Sequence, residues 1–134
     1  TAVSMVLAKE GDIRIAGVEI LYMPEKQKLI DAVNRLCAEN NIGVNDIDLL
    51  VTGRNNDDDN NKAYNEFEDL FNLRDKSESY KNIFGESFTA SAYGIYYAYE
   101  CLKQATNPNA TNVTNVLIYN HYENKDHSLI LLTC

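Results

Sequence analysis

Two short polar segments carry the residue types that could perform chemistry, and each adjoins an apolar run. Thr52 and Gly53 follow the run 47–51, while Lys81 and Glu86 precede a long uncharged stretch. A lysine and a glutamate this close in sequence indicate either an ion pair or an acid–base couple, because their side chains carry opposite charges at neutral pH. We interpret Lys81 and Glu86 as an ion pair and keep the acid–base couple as the alternative.

Cysteine and histidine are the other candidate reactive residues. Cys37 lies on the apolar face of a predicted helix and Cys101 near the end of another. A reactive thiol needs an accessible, electropositive setting, so we predict structural thiols. His121 is predicted in a turn and His127 at the start of a strand, and we interpret both as surface or packing residues rather than acid–base groups.

The run 55–61, Asn-Asn-Asp-Asp-Asp-Asn-Asn, is the one segment with several oxygen ligands in sequence. It is typical of a solvated loop, and the alternative is a cation site, because hard cations bind carboxylate oxygens. The run lacks the glycine and the closing glutamate of an EF-hand loop, and the cysteines form no CxxC pattern. We therefore predict no metal and no cofactor.

Composition excludes several function classes. The chain has 134 residues and a formal net charge of −8, which disfavours binding to nucleic-acid phosphates or to an anionic membrane surface. No stretch is long enough to span a bilayer. Three cysteines that show no disulfide spacing pattern fit a reducing compartment, so we expect a cytoplasmic location. A strand pattern at the first residues indicates that the chain starts internally, as a fragment would.

Hydrophobic periodicity predicts the elements that must position these residues. A β-hairpin opens the chain, strands and helices then alternate, and two strands joined by a polar turn close it. The predicted elements are strands 2–9 and 13–23, a helix from Pro24 to about 40, strand 47–51, helix 61–73, a short strand 80–84, helix 87–104, and strands 113–119 and 128–133. This order predicts an α/β fold with a mixed sheet.

The helix predicted at 87–104 is apolar or small nearly all the way round, and no charge occurs from Ser87 to Tyr99. A helix that is apolar on every side is buried on every side. A chain of this size has few elements to provide that cover, so we expect the chain to be part of a larger assembly.

Four segments, taken together, resemble the C-terminal half of a β-ketoacyl-[acyl-carrier-protein] synthase of the thiolase-like superfamily. They are 2–7, 47–53, 81–92 and 119–131, in the family's order and spacing. The resemblance implies that 1–134 is a single C-terminal thiolase-like domain. It also implies a mixed five-stranded sheet with helices on both faces, with helix 87–104 buried between the two halves of the complete fold.

The resemblance assigns site positions as well. The family condenses acyl chains with a cysteine nucleophile in the N-terminal half and two histidines in the C-terminal half. Thr52, followed by Gly53, and Glu86, following Gly85, stand at the histidine positions, and Lys81 matches the family's lysine. Both catalytic histidines are therefore replaced. The segment 120–124 replaces the family's closing glycine-rich loop.

These replacements imply a protein of fatty-acid or polyketide acyl-chain assembly that has lost condensing activity, like the chain-length factors that pair with an active synthase. One alternative is an acyltransferase or condensing enzyme that uses Thr52, Lys81 and Glu86 differently. Another is a non-catalytic α/β interaction domain. The expected partners are the N-terminal half of the same fold or a synthase subunit, in a homo- or heterodimer, with an acyl carrier protein as a further candidate.

Overall fold

The computed structural model describes residues 2–85, 90–104 and 112–134, and the structural statements below concern those ranges. Within them the chain forms five strands, three longer helices and one single-turn helix. In chain order these are β1 (Arg14–Tyr22), α1 (Lys26–Glu39), β2 (Leu49–Thr52), α2 (Asp58–Phe71), β3 (Ser77–Ser79), α3 (Lys81–Phe84), α4 (Ala90–Gln104), β4 (Asn115–Tyr122) and β5 (Asp126–Thr133). Two 3-10 turns, Val44–Asp46 and Arg74–Lys76, precede β2 and β3.

The five strands form one mixed sheet in the order β1-β5-β4-β2-β3. β2 runs parallel to both β3 and β4, and β5 runs antiparallel to both β4 and β1. Parallel neighbours require crossover connections, and the helices provide them. The α/β fold with a mixed five-stranded sheet, predicted from the sequence, is confirmed.

Helices cover both faces of the sheet, as predicted. One core cluster joins α1 and α2 to Leu50, Leu117, Tyr119 and Leu129 of the strands. The other joins α4 to the strand residues that point the opposite way, among them Val51, Val116, Ile118 and Leu132. Because successive strand side chains point to opposite faces, β2, which is buried throughout, contributes to both clusters.

The predicted strand 2–9 does not form, so the opening hairpin prediction is wrong. Residues 2–9 make no strand pairing in the described chain, and β1 pairs with β5 instead. Apolar alternation specifies which side chains share a face but not which strand lies beside them. The weak apolar alternation of residues 2–9 therefore did not predict a strand of this sheet.

Two other element boundaries differ from the sequence prediction. The second helix begins at Asp58 rather than 61, because the Asp57 carboxylate accepts hydrogen bonds from the backbone N–H groups of Asp59 and Asn60. The predicted strand 80–84 is wrong, since the strand lies at Ser77–Ser79 and a helical turn follows it. The sequence Ser-Glu-Ser lacks the apolar pattern that marks a strand, although it pairs with β2.

Helix α4 is packed on one side and exposed on the other within this chain. Tyr93, Gly94, Ala98 and Leu102 face the sheet, whereas Tyr99 remains 41% exposed. The predicted start of this helix, 87–89, lies outside the described residues. The sequence correctly predicted that α4 is apolar on all sides, but within the described residues only one side of α4 is covered.

The contact at Gly94 tests how closely α4 approaches the sheet. A β-carbon at this position would lie 2.9 Å from Tyr80 Cε1 and 3.4 Å from Ile118 Cγ2. We expect Gly94→Val to lower the free energy of unfolding by about 1–3 kcal/mol through overpacking, measured by urea denaturation. Helix propensity alone predicts a gain, because Val is a better helix former than Gly.

Ser91→Val is the matched control, because Ser91 is exposed on the same helix. We expect this variant to stay within about 0.5 kcal/mol of the original chain. Equal stability of the Gly94 and Ser91 variants would show that α4 does not pack this closely.

Candidate functional site

The candidate site lies at the carboxyl ends of the parallel strands β2, β3 and β4. The chain leaves β2 toward α2 on one face of the sheet and leaves β3 toward α4 on the other face. Ligands of open α/β sheets bind where the connections diverge in this way. We call the group Gly53, Tyr64, Tyr80, Lys81 and Asn120 the carboxyl-end crevice.

Gly53 brings the crevice residues together because it has no side chain. A β-carbon built on Gly53 would lie 2.5 Å from both Asn120 Oδ1 and the Tyr64 hydroxyl, and 3.4 Å from Lys81 Cε. The phenol and the amide therefore occupy the volume that a side chain at this position would need. The loop after β2 offers a backbone surface to the crevice, and Lys81 lies beside it.

Asn120 is a polar group of the crevice that sequence reasoning did not single out. Its Oδ1 accepts a hydrogen bond of 2.7 Å from the Tyr80 hydroxyl. Its Nδ2 is buried and has no hydrogen-bond partner among the described residues. A buried amide N–H without an acceptor costs free energy, so this group favours an acceptor oxygen nearby. The residue lies in the segment 120–124, which the resemblance aligns with the family's glycine-rich loop, and that position was the available signal.

The structure separates the site residues that the resemblance grouped. Lys81 is half-buried and borders the crevice at Gly53. Thr52 is completely buried, and its hydroxyl donates to the Glu78 carbonyl oxygen at 3.4 Å, so its contacts lie within the sheet. Glu86 lies outside the described residues. Gly53, rather than Thr52, is thus the residue after β2 that faces Lys81.

The loop after β2 is held by an ion pair between the half-buried Arg54 and the buried Glu68. The Arg54 guanidinium donates to Glu68 Oε1 at 2.9 Å and to Asn65 Oδ1 at 2.8 Å. Glu68 is almost completely buried and also accepts from the Ser77 hydroxyl at 2.7 Å. A buried carboxylate with several donors is fixed in place, because losing a partner would leave its charge unpaired. This network anchors α2 to β3 and to the crevice loop.

The polar run 55–61 orders the start of α2. The Asn61 side chain accepts from the Asn55 backbone N–H at 3.1 Å and donates to the Asn55 carbonyl oxygen at 2.6 Å. Asp57 caps the helix, and side-chain oxygens of Asn55, Asp57 and Asn61 are thus used in local hydrogen bonds. Across the described ranges, no group of His, Cys, Asp and Glu side chains is arranged to hold a metal ion.

The two histidines face each other across the β4–β5 ladder, and the prediction of a turn at His121 is wrong. His121 Nε2 lies 2.8 Å from the Asn60 carbonyl oxygen, and its Nδ1 accepts from the Asn124 backbone N–H at 3.1 Å. These contacts assign the His121 proton to Nε2. His127 is buried, and its Nδ1 lies 2.8 Å from the Tyr119 hydroxyl.

Burial lowers the pKa of both imidazoles. Stacking against Tyr64 and Tyr119 explains that burial, since both rings belong to the aromatic layer between α2 and the sheet. The surroundings of both histidines therefore favour the neutral imidazole over the charged form.

Cys37 and Cys101 lack the setting of a nucleophile. Burial raises the pKa of Cys37, with a further contribution from Asp46. Burial also raises the pKa of Cys101, and the nearby Glu78 carboxylate adds to the effect. A thiol with a raised pKa remains protonated near neutrality, and the thiolate is the reactive form.

Comparison with known proteins supports the fold. No family model and no curated protein matches this chain. The chain is similar to the crystal structure of 3-oxoacyl-[acyl-carrier-protein] synthase III from Aquifex aeolicus VF5, with a TM-score of 0.59 and 11% sequence identity. The similarity covers 95% of this chain and 46% of that chain, so this chain spans about half the length of the synthase. At this identity the similarity establishes a thiolase-like fold.

The described helices include none that is long and apolar enough to cross a membrane.

The histidine pair predicts pH-dependent stability. Protonation of the two imidazoles is disfavoured in the folded state. In the unfolded state, histidine has a pKa of about 6.5. The unfolded chain therefore binds more protons than the folded chain once the pH falls below about 6.5. We expect the free energy of unfolding to decrease as the pH is lowered from about 7.5 to 5.5, measured by urea denaturation at each pH.

The double variant His121→Gln with His127→Phe is the control, because the chain contains only 2 histidines. Its stability should vary much less over the same interval. An unchanged pH dependence in the double variant would contradict the assignment of the effect to these side chains.

Proposed function

We propose that this chain is one half of a two-half, β-ketoacyl-synthase-like protein that takes part in acyl-chain assembly without performing condensation. Its role is that of a pairing subunit, like a chain-length factor beside an active synthase. The fold similarity supports the family relationship at the level of architecture. The loss of condensation is supported by the crevice itself.

The observation that carries this proposal is the filled position at Gly53. Condensation of thioesters requires hydrogen-bond donors aimed at the developing enolate and oxyanion. At the carboxyl end of β2, Tyr64 and Asn120 occupy the volume into which a side chain at position 53 would project. Thr52 is turned into the sheet and cannot substitute for such a donor. The crevice group includes Lys81, and the neighbouring His121 imidazole is committed to contacts with the Tyr64 ring and the Asn60 carbonyl oxygen.

A second feature supports pairing through the side of the molecule that carries α4. Tyr96 and Tyr99 are exposed on α4. In the sheet, the side chains of Val18, Ile20 and Tyr22 of the edge strand β1 are also exposed. These β1 residues lie on the α4 face, because Val18 is opposite Ile130, which packs against the α4 cluster. We call this combined surface the α4 side. Large exposed apolar side chains on one side of a sheet are typical of an interface.

The activity test uses the chain at a concentration at which it is associated, so that two half-domains are present. We expect no condensation product and no CO₂ release from malonyl and acyl thioesters above the buffer rate. An active 3-oxoacyl-[acyl-carrier-protein] synthase III assayed in parallel provides the positive control. Condensation at a rate comparable to this control would contradict the proposal.

The pairing test measures self-association by analytical ultracentrifugation and native mass spectrometry. Tyr99→Glu places a charge on the α4 side, and we expect it to weaken association by on the order of tenfold or more, because a desolvated charge at an interface is unfavourable. Ile83→Asp is the matched control, since Ile83 is exposed on α3. Association that is insensitive to Tyr99→Glu would exclude the α4 side as the interface.

A further inference from the structure

Within the described ranges, neither the segment 2–9 nor the outer edge of β1 is paired with another strand. Residues 2–9 have the alternating pattern of a strand but no strand partner within the described ranges. The described pairings of β1 are all with β5, so its opposite edge carries unpaired backbone groups. Unpaired strand edges are sites at which another extended segment can add.

The side chains of residues 2–9 indicate that the segment belongs in a sheet. Val6 is 98% exposed and Leu7 is 78% exposed, and these neighbours project from opposite sides of an extended chain. A strand with apolar residues on both sides is typical of one that is covered on both faces. Residues 2–8 also carry no charged side chain, so nothing in them opposes burial.

The edge of β1 matches this segment. Ile20 is 78% exposed and Tyr22 is 69% exposed, and both project from the α4 face of the edge strand. On the opposite face, Leu36 of α1 packs directly against Gly17, where a β-carbon would lie only 2.6 Å from Leu36 Cδ2. An added strand would therefore meet apolar side chains on one face and the border of the α1 cluster on the other.

The chain's own N-terminal segment is directed elsewhere. Val3 and Ile13 pack against the α4-side core cluster, together with residues at the amino-terminal ends of β2 and β4. The segment thus runs toward the α4 side rather than back along the free edge of its own β1. A second copy carries the same donor segment and the same acceptor edge, so exchange between two copies is reciprocal and forms a closed pair.

We propose that residues 2–9 add as a strand to the free edge of β1 in a second copy of this chain, with each copy donating its segment to the other. The inference rests on the proposed pairing of half-domains and specifies a backbone contact within it. Main-chain hydrogen bonds supply the affinity in this mode of recognition, and alternate side chains supply the register.

The test combines self-association with hydrogen exchange. In the associated chain, the backbone amide hydrogens of residues 3–7 and 18–22 should exchange slowly with solvent. This protection from exchange should disappear when dilution dissociates the chain. Val6→Pro removes a backbone donor from the exposed segment, and we expect self-association to weaken by on the order of tenfold or more, with loss of protection at 18–22. Val6→Thr is the matched control, because it keeps β-branching and the backbone donor.

A chain lacking residues 2–9 provides an independent measurement. We expect it to fold, because most of the deleted side chains are exposed, and to expose the amides of 18–22 to exchange. A synthetic peptide of residues 2–9 added to this chain should restore their protection. Equal association of Val6→Pro and Val6→Thr, or amides at 18–22 that the peptide does not protect, would overturn the inference.

The two proposals fail in different ways. Association that depends on Tyr99 but not on Val6 or on residues 2–9 would remove the strand exchange and leave the α4-side pairing intact. Association that depends on Val6 but not on Tyr99 would remove the α4 side as the interface. A chain that is monomeric at all concentrations would overturn the strand exchange together with self-pairing.

Discussion

The burial of β2 on both faces is the constraint on which the rest of the structure depends. All four of its residues are buried, and parallel strands lie on both sides of it, β3 at one edge and β4 at the other. Such a strand needs helical cover above and below the sheet, because neither set of side chains can face water. The connections out of β2 and β3 must then diverge to opposite faces, and that divergence creates the carboxyl-end crevice.

The contents of the carboxyl-end crevice are closely linked to the core. Gly53 permits the Tyr64 hydroxyl and the Asn120 amide to approach the backbone where a side chain would otherwise stand. Tyr64 is itself part of the aromatic layer with Tyr119 and His121. The residues that fill the crevice are thus extensions of the core. Asn120 Nδ2 is buried and has no hydrogen-bond partner among the described residues, so it is the polar group that this packing leaves unsatisfied.

The distribution of apolar surface gives the molecule a packed side and an open side. The face under α1 and α2 is closed by a continuous core, and the ion pair between the half-buried Arg54 and the buried Glu68 ties α2 to the loop after β2. The α4 side remains apolar at its surface, on the helix and over β1. The two faces of the sheet thus differ in how much apolar surface they leave exposed within the described chain.

The sequence by itself determined the α/β class, the mixed sheet and the all-round apolar character of the α4 segment, because hydrophobic periodicity reports directly which side chains avoid water. It located Lys81 next to a glycine-ended strand and placed Cys37 in the core. It did not determine the partner of residues 2–9, the strand at Ser77–Ser79 or the role of Asn120. Strand pairing and the filling of space at Gly53 depend on segments far apart in the chain, so only the tertiary structure decided them.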